Sequence, residues 1–194
     1  METTLLAATL SIGDVIFIRV GVRLFREVAT ATGSWTNHVG IVVENANGRV
    51  AIAESTFPFS SITTLDRFLA RSEGGRVAVA RLNRTLTAGE ETRLINAARG
   101  RVGIWYDTGF DLHSRRQFCS RFVHEVLAEA TGLAVGEAQR FDELLAQQPA
   151  AALGFWRLWY LGRIPWQRQT ITPASVLGSP HLDILFDGTV SASN

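Results

Sequence analysis

His38-Val39-Gly40-Ile41-Val42-Val43, then Glu44-Asn45-Ala46-Asn47-Gly48, then Arg49-Val50-Ala51-Ile52-Ala53-Glu54 is the stretch that decides how this chain is read. Two apolar, β-branched runs flank a short segment rich in Asn and Gly, the composition of a strand, a turn and a returning strand. With Asn45, Ala46 and Asn47 as the loop, 44 pairs with 48, 42 with 50, 40 with 52 and 38 with 54. That register sets His38 opposite Glu54 on one face of a hairpin, with Cβ atoms about 5 Å apart. A slip of one residue would send the two side chains to opposite faces, so the expectation is a sharp one.

Outward from the hairpin, Gly13-Asp14 opens a strand over 15–20, and 22–32 reads as a helix that ends at Gly33-Ser34. Residues 64–71 form a short helix candidate and 76–82 alternate like a strand. Thr87-Ala88-Gly89-Glu90 is a capping box that opens a helix to about Arg99. From Cys119, the apolar residues Phe122, Val123, Val126, Leu127 and Ala130 recur at helical spacing, and Thr131-Gly132 supplies the stop. Thr172-Pro173 reads as an N-cap with proline at the first helical position, and Leu182 to Phe186 as a last strand.

The single cysteine excludes an internal disulfide. Nineteen basic residues, all arginine, against 18 acidic ones give a net charge of +1, so no nucleic-acid partner is implied. The N-terminal Met1-Glu2-Thr3-Thr4-Leu5-Leu6 lacks the basic start of a secretory signal, and no apolar run approaches the ~20 residues that span a bilayer. The expectation is a cytoplasmic chain forming one domain over 1–194, with a Trp-rich insertion or lid at about 150–168.

Thiol catalysis requires a thiolate, a base within hydrogen-bond reach, and a group that fixes the base's tautomer. Cys119 sits where a helix begins, and the free N–H groups and dipole of a first turn favour an anion there. His124 lies five residues further on, about 140° around the helix, and points elsewhere. Spacing excludes neither His113 nor His181, but His38 alone has an evident carboxylate partner, Glu54. No ligand cluster for a metal and no organic cofactor is implied.

Gly13-Asp14-Val15-Ile16, Asn37-His38-Val39-Gly40-Ile41, Ala53-Glu54-Ser55, Tyr106-Asp107 and Phe118-Cys119-Ser120-Arg121-Phe122-Val123 together resemble the permuted, YiiX/YebB-like branch of the NlpC/P60 superfamily of papain-like cysteine peptidases and amidases. In that branch the histidine strand precedes the cysteine helix. Ile171 to Leu177, followed by Ser179-Pro180, resembles the branch's terminal segment. The resemblance implies an α+β fold, a mainly antiparallel sheet packed against the helix that bears the cysteine. It also implies Cys119 as nucleophile, His38 as base, Glu54 as orienter, and an oxyanion held by the Cys119 N–H beside Tyr106. The reaction implied is acyl transfer from an amide or ester, of a cell-wall peptide or of a lipid or N-acyl substrate, with water as final acceptor.

Trp35, Asn37 and Ser120, beside the two reactive residues, and Trp156 and Trp159 are the candidate substrate contacts. Packing on the core is the ordinary role for the aromatic cluster Phe155 to Trp166. Its alternatives are a lid over an acyl chain or a peripheral membrane contact, which Arg157 and Arg163 would suit. An acyltransferase of the same fold, and a non-enzymatic module that uses the aromatic tail as its contact surface, are the competing functions.

Overall fold

The computed structural model describes residues 1–46, 49–148 and 151–191. In chain order the elements are α1 (Thr3–Thr9), β1 (Val15–Val20), α2 (Arg23–Ala31), β2 (His38–Ala46), β3 (Arg49–Glu54), β4 (Ser61–Thr64), α3 (Leu65–Leu69), β5 (Ser72–Leu82), α4 (Ala88–Gly100) and α5 (Cys119–Thr131). They are followed by β6 (Ala138–Arg140), α6 (Phe141–Gln147), α7 (Leu153–Trp159), β7 (Gln169–Ile171), α8 (Pro173–Leu177) and β8 (Leu182–Thr189).

Six strands form one sheet in the order β4-β3-β2-β1-β5-β8, and every neighbouring pair is antiparallel. Alternation along the strands sorts the apolar side chains onto two faces. Val15, Phe17, Val39, Ile41, Ala78 and Ala80 pack with α4 and α5, while Ile16, Ile18, Val42, Ile52, Val77 and Val79 pack with α1 and α3. A sheet buried on both faces reads as continuous apolar runs, which is why β1 and the first half of β2 carry so few polar residues.

The predicted helix starts hold in detail. Thr87 caps α4 through a reciprocal box with Glu90, and Thr172 caps α8 with Pro173 at its first position. Gly132 closes α5 at φ 75°, a conformation that costs glycine nothing.

The hairpin register differs from the one predicted. Ile41 pairs with Ala53 and Val42 with Ile52, and beyond an irregularity between Val42 and Glu44 the pairs run Glu44 with Ala51, Asn45 with Val50 and Ala46 with Arg49. Glu44, Asn45 and Ala46 therefore belong to β2 rather than to the turn, of which 47 and 48 lie outside the described residues. Continued toward the His38 end, this register sets Gly40 opposite Glu54 and makes His38 the diagonal neighbour of Glu54. The displacement is two residues, an even number, so both side chains still share a face.

Candidate functional site

His38 is the first residue of β2 and Glu54 the last of β3, so both stand at the same end of the sheet. Both are buried, with about 1% of their surface exposed. His38 Nε2 lies 2.5 Å from Glu54 Oε2. One guanidinium nitrogen of Arg71, Nη2, donates to both oxygens of Glu54, at 2.7 and 2.8 Å. Arg71 follows α3 and lies over the ring of Phe68, 5.1 Å from its centroid, and the same ring lies 5.7 Å from the imidazole of His38. Phe25 of α2 meets the imidazole edge-on at 6.0 Å. The histidine is thus fixed by one carboxylate and two aromatic rings, and the carboxylate by one arginine.

Cys119 is the first residue of α5, 3% exposed, and Phe118 before it provides no side-chain cap. The N–H groups of that first turn therefore lack a side-chain acceptor, and with the dipole of a 13-residue helix they face an anion favourably. His38 Nδ1, the ring nitrogen not used by Glu54, is buried without a conventional hydrogen-bond partner among the described residues. Burial alone would push the imidazolium down. The charge and hydrogen bonding of Cys119, and then of Glu54, outweigh that and raise His38 to about 9. Burial likewise opposes ionisation of Glu54, but its hydrogen bond to His38 and the nearby cations hold its carboxyl below the usual range. Cys119, His38 and Glu54 thus stand in series at the end of the sheet.

Tyr106 lies against the same sulfur. It is 3% exposed, its hydroxyl has no conventional partner, and burial followed by the charge on Cys119 pushes the phenol well above its ordinary range. A phenol that stays protonated is a standing hydrogen-bond donor.

Beside Cys119 runs a narrow apolar slot with about 50 Å³ of free space, walled by Phe25, Tyr106, Phe118, Phe141 and Trp156. Asn37 and Ser120 also line it, but their polar groups are tied elsewhere: Asn37 bonds both backbone groups of Val20, at 2.7 and 3.0 Å, and Ser120 Oγ donates to the carbonyl of Ile171 at 2.7 Å. Trp35 stands outside the slot with the Arg76 guanidinium 4.5 Å above its ring. Trp159 is outside as well, 38% exposed, its indole N–H donating to the carbonyl of Thr108.

The other histidines are engaged apart from this site. His113 Nε2 meets Gln169 Oε1 at 3.2 Å, His124 Nδ1 donates to the Val135 carbonyl at 2.8 Å, and His181 lines a polar groove with Gln139 and Ser175. Arg71 and Phe68 are the residues that sequence reasoning missed, since an arginine after a short helix carries no signal of the carboxylate it will meet.

A protein of Escherichia coli K12 named uncharacterized protein YiiX is 28% identical over 170 residues, 88% of this chain and 83% of that protein. The crystal structure of yiiX from Escherichia coli O157:H7, described as a metalloprotein, superposes with a TM-score of 0.85 at 26% identity, covering 92% of this chain and 98% of that one. Among the described residues here, no group of three or more His, Cys, Asp and Glu side chains is arranged to hold a metal ion. No described helix is long and apolar enough to cross a membrane. Residues 9–186 match the family described as permuted papain-like amidase enzyme, YaeF/YiiX, C92 family, and the chain belongs to that family of cysteine hydrolases.

Proposed function

We propose that the chain hydrolyses an amide or ester whose acyl part is apolar, through a thioester on Cys119. The observation that carries this reading is the buried series at the sheet end: Glu54 2.5 Å from His38 Nε2, Cys119 acting on the same imidazole by charge and hydrogen bonding, and the sulfur at an uncapped helix start beside an apolar slot.

In the first half-reaction the sulfur attacks the carbonyl carbon and the carbonyl π electrons move to oxygen. The Cys119 N–H and the Tyr106 hydroxyl are the donors available to that oxyanion. Collapse breaks the bond to the amine or alcohol, which takes the proton of His38 Nδ1 as it leaves. In the second, His38 removes a proton from water, the hydroxide adds to the thioester, and the tetrahedral species releases the acid and restores the thiolate. Glu54 stabilises the imidazolium throughout and remains ionised. The polar groove lined by Thr172, Gln139 and His181 shares Thr32, Leu144 and Thr172 with the slot, which supports placing a polar leaving group there.

The test is alkylation of Cys119 as a function of pH, together with turnover of p-nitrophenyl esters and N-acyl amides of graded acyl length. Rapid labelling well below the pH at which ordinary thiols react, slowed in His38→Ala, and turnover abolished in Cys119→Ala support the reading. Ordinary labelling, with no Cys119-dependent turnover, overturns it. Acyl products that appear only when amine or alcohol acceptors are added would make the enzyme a transferase.

A further inference from the structure

Helix α7 and the turn after it present two faces of opposite use. Inward, Trp156 is 6% exposed and walls the slot, with Tyr160 stacked on it at 6.1 Å. Outward stand Leu158 at 78% and Leu161 at 89% exposure, with Leu153, Trp159 and Trp166 each about two-fifths exposed. Single exposed apolar residues need no explanation, but five within 14 positions form a patch.

Leu161 is the most telling of them. Its φ is 50°, a left-handed conformation that disfavours a side chain by about 1 kcal/mol and that a turn ordinarily gives to Gly or Asn. Leucine at 161 therefore works against the local backbone and contributes almost nothing to the core. A local rule broken without gain inside the fold points to a contact outside it.

The charge around the patch specifies the kind of contact. No acidic residue occurs between Glu143 and Asp183. Arg157 and Arg163 are exposed and, among the described residues, form no ion pair or side-chain hydrogen bond. Arg23 of α2 adds a third exposed cation, 5.5 Å from the ring of Phe155. Arg168 is different, turned inward to the carbonyl of Gly109 and toward Asp111; of the neighbouring carboxylates, Asp107 accepts from the Gly109 and Asp111 N–H groups, Asp111 faces Arg168, and Asp142 is occupied by Arg140 and Gln167. The surface is thus apolar at its centre and cationic at its rim, complementary to an anionic bilayer surface, where Leu and Trp enter the interface and Arg meets the headgroups. A second copy of the chain is a poor occupant, because an isologous contact would set Arg157 and Arg163 against the same residues of the other copy.

We infer that the segment from Leu153 to Trp166 docks this protein on anionic lipid surfaces. Docking there places the lipid on the outer face of α7, whose inner face, through Trp156, walls the slot that Cys119 also lines. The surface stands whether or not the hydrolase reading does.

The experiment is co-sedimentation of the full chain with vesicles of phosphatidylcholine alone and of phosphatidylcholine mixed with phosphatidylglycerol. Binding to the mixed vesicles, weakened by salt, is the expected result. Leu158→Glu with Leu161→Glu lowers the vesicle partition coefficient by about tenfold or more, and Arg157→Gln with Arg163→Gln removes the preference for the anionic mixture. Leu161→Asn, which relieves the backbone at 161, serves as a second variant that keeps the fold while shedding the apolar contact. Circular dichroism verifies folding, and turnover of a soluble ester by the variants stays at the wild-type rate. Three results overturn the inference: no binding to either vesicle; loss of binding with Phe57→Ser or Trp105→Ser, at the exposed aromatics outside α7 (69% and 62% exposed), but not with the α7 variants; or a dimer that the Leu158→Glu change dissociates. Vesicle binding by a wild-type protein that turns over no ester would sink the hydrolase reading alone.

Discussion

Arg71 holds Glu54 from one nitrogen to both carboxylate oxygens, at 2.7 and 2.8 Å, while Glu54 holds His38 at 2.5 Å. The arginine is about one-third exposed and the glutamate is buried, so the pair is a handle on the site reached from its surface. Arg71→Met leaves Glu54 buried with one partner fewer. A hydrogen bond to a charged group contributes about 1.5–3 kcal/mol, and partial solvent screening of Arg71 favours the lower end, so kcat is expected to fall by about tenfold. KM changes little, because Arg71 does not line the slot. A loss confined to KM, or none at all, would contradict its role in positioning.

The pH dependence follows from the same chain of contacts. His38 rises from 6.5 to about 9, so the imidazolium persists through neutrality and is lost as pH climbs past about 9. The expected kcat/KM profile has its alkaline limb there, since above it no proton remains for the leaving group. Glu54→Gln removes one source of that rise, and the limb moves to lower pH. For stability the signs are opposite for the two partners. The raised His38 contributes fully below pH 6.5 and loses its contribution as pH passes about 9, whereas the lowered Glu54 contributes above pH 4.5 and loses its contribution on acidification. Urea unfolding across pH should show this contribution at its largest between those two ordinary values, and Glu54→Gln should flatten it.

What the sequence made legible was whatever local rules govern. The capping box at Thr87, the Pro start at Thr172-Pro173 and the helical spacing after Cys119 all depend on residues within one turn of each other. The hairpin was legible as a hairpin, but its register was not, because the irregularity between Val42 and Glu44 puts one extra residue into β2, which alternation and turn composition do not announce. His38 and Glu54 still meet because the displacement is even. Arg71 was invisible for a related reason: it stands 17 residues from Glu54, and only the pairing of β3 with β4 and the placement of α3 bring it back. Trp35 and Trp159 show the converse, aromatic residues near the motif in sequence or composition whose rings lie outside the slot.

Asp14 offers a prediction independent of catalysis. It is fully buried at the start of β1, accepts from the Ser11 N–H at 2.7 Å and receives two hydrogen bonds from Arg81, at 2.7 and 2.8 Å. Removing one partner of a buried pair costs about 3–5 kcal/mol, less here because Arg81 is 38% exposed. Arg81→Met is therefore expected to lower unfolding free energy by about 2 kcal/mol in urea titration, with the alkylation rate of Cys119 unchanged at saturating fold.

Gly40 marks where the backbone of β2 leaves room for the site. A Cβ there would come within 2.6 Å of Ile52 Cγ2 and 2.9 Å of the Phe68 ring, the ring that lies beside His38 and under Arg71. Gly40→Ala should therefore cost about 1–3 kcal/mol of stability and also lower kcat, since displacing Phe68 loosens both the histidine and the arginine. A variant that loses stability while its folded fraction turns over at the wild-type rate would show that Phe68 is only a core residue.

The slot itself decides how much of the substrate is acyl chain. Val28 of α2 lines it, and an indole at that position would fill most of the roughly 50 Å³ that is free. If the acyl chain enters there, Val28→Trp leaves short esters nearly untouched and penalises longer ones progressively. Each methylene kept out of an apolar site forfeits about 0.8 kcal/mol, or about fourfold in kcat/KM. Plotted against acyl length, the ratio of wild-type to variant kcat/KM should rise geometrically and then level off where the chain outgrows the slot. A ratio independent of length would mean that the chain lies elsewhere and that the aromatic walls serve only to exclude water from the sulfur.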